Sequence, residues 1–410
     1  MGKLVFFIGC CLFLIACGSD TMDDNGLPVD DTMNDDSPEL VLTAPCENGI
    51  ADIFPCSDYD LLYRIELSTF DAAEGNDSWG WTDPSNGKEY ALMGLDNGTA
   101  FIDISDPEAA IYLGKLPTHT VPSGWRDVKV YNNHAFIVSE AAGHGMQVFD
   151  LTRLRNVTGT GNTFIEDAHY NGFGNAHNIV INEDSGYAYA VGTQTFDGGP
   201  HFINIQNPTN PIAAGGYQLS SYSHDAQVIT YNGPDTEHVG KELLIGSNVN
   251  EIVIVDITDK ENPVLISQLG YGEVGYTHQG WFTEDQTYFL LGDELDELNF
   301  GFNSRTLVFN FSDLDNPVLH TTYTGPTDAV DHNGYVKGNL FYLANYSAGL
   351  RVIDLSDIDN GNLTEIGNFD TFPSNNTASF NGAWNVYPFF ESGTILISDI
   401  NTGLYLVRKH

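Results

Sequence analysis

The stretch Glu251-Ile-Val-Ile-Val-Asp-Ile-Thr-Asp259, followed by Asn262-Pro263-Val264, decides the fold, because versions of it recur along the chain. Its core is a β-branched run ending in Asp, the composition of a buried strand that runs into a turn. Related runs ending in Asp or Asn stand at Ala100-Phe-Ile-Asp103, Gln147-Val-Phe-Asp150, Phe202-Ile-Asn204, Leu307-Val-Phe-Asn310 and Arg351-Val-Ile-Asp354. A last copy, Leu404-Tyr-Leu-Val-Arg408, carries Arg where the others have Asp or Asn. The marker positions 103, 150, 204, 256, 310, 354 and 408 lie 44 to 54 residues apart. That period is too long for leucine-rich or ankyrin repeats and suits a four-stranded propeller blade with loops of variable length.

Within one unit the strand order is clearest over residues 331–370, as His332 to Val336, Leu340 to Ala344, Leu350 to Leu355 and Leu363 to Phe369. Asp106-Pro107, Asn207-Pro208, Asn262-Pro263 and Asn316-Pro317 fall where a third strand gives way to an outer fourth, an edge connection that tolerates Pro. The last unit stops at its third strand, and Leu61-Leu-Tyr-Arg-Ile-Glu-Leu67 has the length and alternation to supply the missing fourth. The expected fold is all-β, a seven-bladed β-propeller whose ring is closed by an N-terminal strand joining the C-terminal blade. No amphipathic helix is legible. Acidic Asp293-Glu-Leu-Asp-Glu297 reads as a solvated loop rather than a metal cluster, and Asp357-Ile-Asp-Asn-Gly361 as a turn.

Residues 1–16 carry Lys3 and then an apolar run, the layout of a secretory signal. Leu14-Ile15-Ala16-Cys17 resembles the lipobox of bacterial lipoproteins, which makes Cys17 the lipidated N-terminus. Asp20, Asp23 and Asp24 resemble the acidic signal that sends such proteins to the outer cell surface in Bacteroidetes-type bacteria. The expected organisation is a signal peptide over 1–16, a disordered acidic tether over 17–45 and the propeller over 46–410, lipid-anchored in the outer membrane at the cell surface. Of five cysteines, Cys10 and Cys11 leave with the signal and Cys17 takes the lipid. Cys46 and Cys56 are then expected to form a disulfide in an oxidising compartment. A metal pair is the rival reading, though no histidine lies near them. With 15 Lys and Arg against 56 Asp and Glu, net charge −41, the chain repels phosphate backbones, which excludes nucleic acid and makes cations the natural small partners.

From about Cys46 to His410 the chain also resembles the LVIVD-repeat propellers, and within them the choice-of-anchor B family. The resemblance rests on the Glu251–Asp259 repeat together with Tyr276-Thr-His-Gln-Gly-Trp281, Asp331-His-Asn-Gly-Tyr335, Gly349-Leu-Arg-Val-Ile-Asp354 and Asn381-Gly-Ala-Trp384. It implies a propeller and export to the cell surface, with no established reaction. Arg408 and the insertion Tyr231 to Gly240 depart from the pattern.

Five units open their innermost strand with a polar residue, namely Arg126, His177, His224, His278 and His332, and the seventh has Gly382 there. The next positions are Asp127, Asn178, Asp225, Gln279 and Asn333. In a propeller these sites surround the mouth of the central channel, and loops carrying Glu140, His144, Asp293, Glu294 and Asn345 emerge on the same face. Arg126, His177, His224, Asp225, His278 and His332 are therefore the expected ligand-binding residues. The four histidines are the expected ligands of a divalent metal such as calcium, zinc or manganese. The same pattern also fits four imidazoles that each bond a neighbouring polar group and merely lock blades together. The folded part has no free cysteine, no Gly-x-Ser-x-Gly, no His-Glu-x-x-His and no phosphate-cradling glycine loop, so no catalytic residue is assigned. The reading is a binding or interaction module for an extracellular glycan or protein. Its alternative is a metal-assisted hydrolase or lyase acting on an extracellular polar substrate such as a glycan.

Overall fold

The structure, a computed structural model, describes residues 43–218 and 222–410. The signal 1–16, Cys17 and nearly all of the 17–45 tether lie outside the described residues. Among the described residues seven sheets follow one another, each built around four antiparallel strands in radial order. Their innermost strands are Gly75–Thr82, Arg126–Tyr131, Asn178–Asn182, Asp225–Thr230, Thr277–Phe282, Gly334–Lys337 and Ala383–Tyr387, which number blades 1 to 7. Each of these packs against the next, and the seventh returns to the first, so the sheets form a closed ring.

The marker strands are apolar on both faces because each blade is covered by a neighbour on either side. In Ile252–Asp256 of blade 4, Ile252 and Ile254 pack with Phe289, Leu307 and Phe309 of blade 5, while Val253 and Val255 pack with Tyr189, Val191 and Phe202 of blade 3. At the strand ends Asp103, Asp150, Asn204, Asp256 and Asn310, and within its longer strand Asp354, each accept a hydrogen bond from the backbone N–H two residues on, at 2.8–3.0 Å. These local turns steer the chain toward the outer strand. Blade 7 takes its fourth strand from Tyr59–Glu66, which pairs antiparallel with Gly403–Lys409 and sets Asp60 opposite Arg408.

Just upstream, the hairpin Ile50–Ala51/Phe54–Ser57 adds to the outer strand Asn362–Phe369 of blade 6. Cys46 and Cys56 form the expected disulfide across it. The insertion Tyr231 to Gly240 folds onto blade 5. His238 Nε2 meets Asp315 Oδ2 at 3.2 Å while its Nδ1 lies 3.1 Å from Lys241 Nζ, so both ring nitrogens are engaged in holding two blades together.

Two expectations are corrected. The first strand of blade 6 begins at Gly334, leaving His332 and Asn333 just before it. The segment Asp293–Glu297 is not a solvated loop: Asp293, Asp296 and Glu297 are buried, and a short α-helix runs over Asp296–Phe300. Asp293 accepts from the backbone N–H groups of Gly275 and Tyr276 and from the Tyr271 hydroxyl, and Arg305 Nε donates to Asp296 at 2.7 Å. Those partners lie in neighbouring strands and loops, so charge density along the chain misreads the segment.

Candidate metal centre

The innermost strands share one direction, so their first residues gather at one mouth of the central channel and their last residues at the other. At the first mouth His177, His224, His278 and His332 stand in a row, with successive ring centroids 4.2, 4.3 and 4.4 Å apart. The row stops at blade 6 for a steric reason. Gly382 has φ +100°, and a Cβ there would lie 2.3 Å from the Tyr346 carbonyl oxygen.

Three of the four rings are tied across a blade boundary. His177 Nδ1 lies 2.6 Å from Glu140 Oε1, His224 Nδ1 is 3.1 Å from the His278 carbonyl, and His332 Nδ1 is 2.5 Å from the Trp384 carbonyl. A carbonyl only accepts, so in His224 and His332 the proton sits on Nδ1 and, in the neutral ring, Nε2 carries a lone pair. Burial holds both imidazoles neutral: it drives the pKa of His224 well below the ordinary range and that of His332 down to about 3. Burial and its histidine neighbours do the same to His278. Blade locking and ligand binding are therefore not exclusive here, since one nitrogen locks the blade and the other remains free to coordinate.

Donor atoms of His278, Glu294 and His332 lie within 4.8 Å of one another. Glu294 Oε2 is 3.7 Å from His278 Nε2, and Glu294 Oε1 is 3.7 Å from His332 Nε2. These gaps are too long for hydrogen bonds. They are close to the ~3.4 Å that separates ligands held at ~2.1 Å around a tetrahedral ion. Glu294 is oriented by the Tyr346 hydroxyl, which donates to Oε1 at 2.9 Å, and burial pushes its carboxyl up to about 6. Among the described residues, no group hydrogen-bonds the buried His278 Nδ1.

The other expected residues sit elsewhere. His224 and His177 continue the row beyond the three-donor group, with His177 turned to Glu140. Arg126 is buried and bonded within blades 1 and 2, where Nε donates to the Leu95 carbonyl at 2.9 Å and Nη1 meets His144 Nε2 at 3.0 Å. Asp225 lies one layer down the channel, where burial and the Asp127 charge push its carboxyl up to about 7. There Lys129 Nζ binds Asp127 at 2.5 Å and Asp77 at 3.0 Å, and the free space shrinks to ≈ 20 Å³. The channel is thus plugged between its two mouths. Sequence reading named Glu294 only as a face residue. The signal for its role was its place in the 2–3 loop of the blade whose inner strand carries His278.

Comparison with known proteins agrees with this architecture. The LVIVD repeat family model matches residues 240–269 and 334–371, which fall in blades 4 and 6. No curated protein matches the sequence. Among solved structures, the chain is similar to the Cps50 (Swd1) β-propeller domain of Myceliophteria thermophila, at 11% identity and TM-score 0.55, covering 85% of this chain and 99% of that one. A protein from Lactobacillus plantarum aligns at 14% identity and TM-score 0.53, over 82% and 90% of the two chains. Hydrazine synthase of Kuenenia stuttgartiensis aligns at 11% and 0.54, over 77% and 91%. At such identities the likeness shows the fold alone.

Proposed function

We propose that this chain, a seven-bladed β-propeller carrying LVIVD repeats, is a lipid-anchored cell-surface binding module of the choice-of-anchor B type that holds a divalent transition metal at its histidine-lined mouth. The observation that carries the metal is the convergence of His278, Glu294 and His332, with His332 fixed in the metal-binding tautomer by the Trp384 carbonyl. Two imidazoles and one carboxylate suit zinc or manganese better than calcium, which collects six to eight oxygens. Three protein donors leave a coordination position open, and through it the metal would take a carboxylate or hydroxyl of an extracellular glycan or protein. That same open position favours the second reading, metal-assisted hydrolysis or elimination, because a metal with three protein ligands and a water is the arrangement of catalytic zinc.

Surface display rests on the lipobox-like Leu14–Cys17, and the Cys46–Cys56 disulfide is in keeping with an oxidising compartment. Elemental analysis of the purified protein should find one zinc or manganese per chain, lost in His278→Ala/His332→Ala and in Glu294→Gln. Metal-free wild type, or full retention of metal in the double variant, would overturn the centre. Growth with an alkyne-tagged fatty acid should label the wild type and not Cys17→Ser. Equal labelling would remove the anchor.

A further inference from the structure

The opposite mouth of the channel widens into a cavity of ≈ 550 Å³, within the size range of small-molecule sites. It lies beyond the Asp77–Asp127–Lys129 plug and shares no residue with the histidine row. Its floor is aromatic. Trp79 packs on Tyr387 at 5.0 Å between ring centroids, Trp281 and Trp79 both pack on Tyr335, at 4.9 and 5.7 Å, and Phe389 joins all of them. Trp79, Trp281, Tyr387 and Phe389 are only half-buried, and each lines the cavity.

The polar lining separates two classes of ligand. A sugar needs donors and acceptors free to meet its hydroxyls, and each of the lining amides Asn182, Gln227 and Gln286 already carries a bond within the protein. Asn182 Nδ2 donates to Glu242, Gln227 Oε1 accepts from the Phe282 N–H, and Gln286 bonds Asn232 and Thr230. At the rim stand Glu183 and Asp184, exposed, with no hydrogen-bond or ion-pair partner for their carboxylates among the described residues. Surrounding protein and the Asp184 charge hold the Glu183 carboxyl above its usual range, and both carboxylates line the same cavity as Trp79, Trp281, Tyr387 and Phe389. The one lining ammonium, Lys129, is paired with Asp127 and Asp77 and lies 4.6 Å from the centre of the Trp79 ring.

We infer that this cavity is a binding site for a small organic cation, an alkylammonium or quaternary ammonium group that rests on the Trp79–Trp281 floor and is balanced by Glu183 and Asp184. Indole faces attract such cations through the ring quadrupole, and the attraction grows when water is excluded. The rim carboxylates add long-range attraction in a protein of net charge −41.

The test is calorimetric titration of the purified protein, with tryptophan fluorescence as a second readout. The probes are choline, benzyltrimethylammonium and 3,3-dimethylbutanol, the uncharged isostere of choline; an oligosaccharide such as cellotriose serves as the competing class. The expected result is binding of an ammonium probe, with quenching of the Trp79 and Trp281 emission and no response to the isostere. Glu183→Gln/Asp184→Asn, which changes only exposed rim residues, should weaken ammonium binding about tenfold. Binding of the isostere as tight as that of choline, unchanged ammonium affinity in the rim variant, no response to either ammonium, or cellotriose binding in their place would each overturn the inference.

Discussion

At the scale of single residues, the protein repeatedly uses one side chain for two purposes. His332 ties blade 6 to blade 7 through Nδ1 and turns Nε2 toward Glu294. Asp256 and its counterparts end a strand and begin a turn. His144, by contrast, is purely internal: it is fully buried between Arg126 and Gln147, with His119 nearby, and burial together with the Arg126 charge lowers its pKa from 6.5 to about 4. The unfolded chain binds a proton at this site near pH 6.5 and the folded chain only near pH 4. Its contribution to stability is therefore full above about pH 6.5 and is lost progressively as pH falls toward 4, by up to about 3 kcal/mol. His144→Gln should be less stable at pH 7 but lose less Tm between pH 7 and pH 4 than the wild type. An equal loss in both proteins would show that His144 does not take part in acid unfolding.

At the scale of elements, ring closure depends on one strand. Tyr59–Glu66 pairs with Gly403–Lys409 along its whole length and buries Tyr59, Leu61, Leu62 and Ile65. Without it, the edge of blade 7 stands open and its backbone groups lose their partners. The preceding hairpin covers only the outer edge of blade 6, although Phe54 packs there on Phe369 and Tyr405 and the Cys46–Cys56 link restrains it. Two truncations separate these roles. A chain starting at Tyr59 loses the hairpin and the disulfide, and should fold with a stability lower by a few kcal/mol. A chain starting at Leu67 should be recovered only as aggregate or show no cooperative melting. Cooperative melting of the shorter chain would refute closure by this strand.

At the scale of the whole molecule, an excess of 41 negative charges on 410 residues makes self-repulsion a general cost of folding. Raising NaCl from about 10 mM to 500 mM shortens the Debye length from roughly 30 Å to under 5 Å, and Tm should rise by several degrees. A flat or falling Tm would mean that the buried ion pairs outweigh the surface field. The residues themselves determined the blade count, the strand order within a blade, the donated strand and the cysteine pair. Each is recorded in patterns that lie within one blade or at a chain end, such as the Asp or Asn two residues before its turn N–H. The same patterns ranked Arg126, His177, His224 and His332 alike, and they read Asp293–Glu297 as solvent-facing. Only the closed ring decided which donors meet. His278 and His332 stand 54 positions apart in the chain yet their rings are 4.4 Å apart, and the group that aims His332 is a backbone carbonyl of the next blade. The aromatic funnel was hidden for the same reason, since Trp79, Trp281 and Tyr387 come from blades 1, 5 and 7 and share a surface only where inner strands converge on an axis.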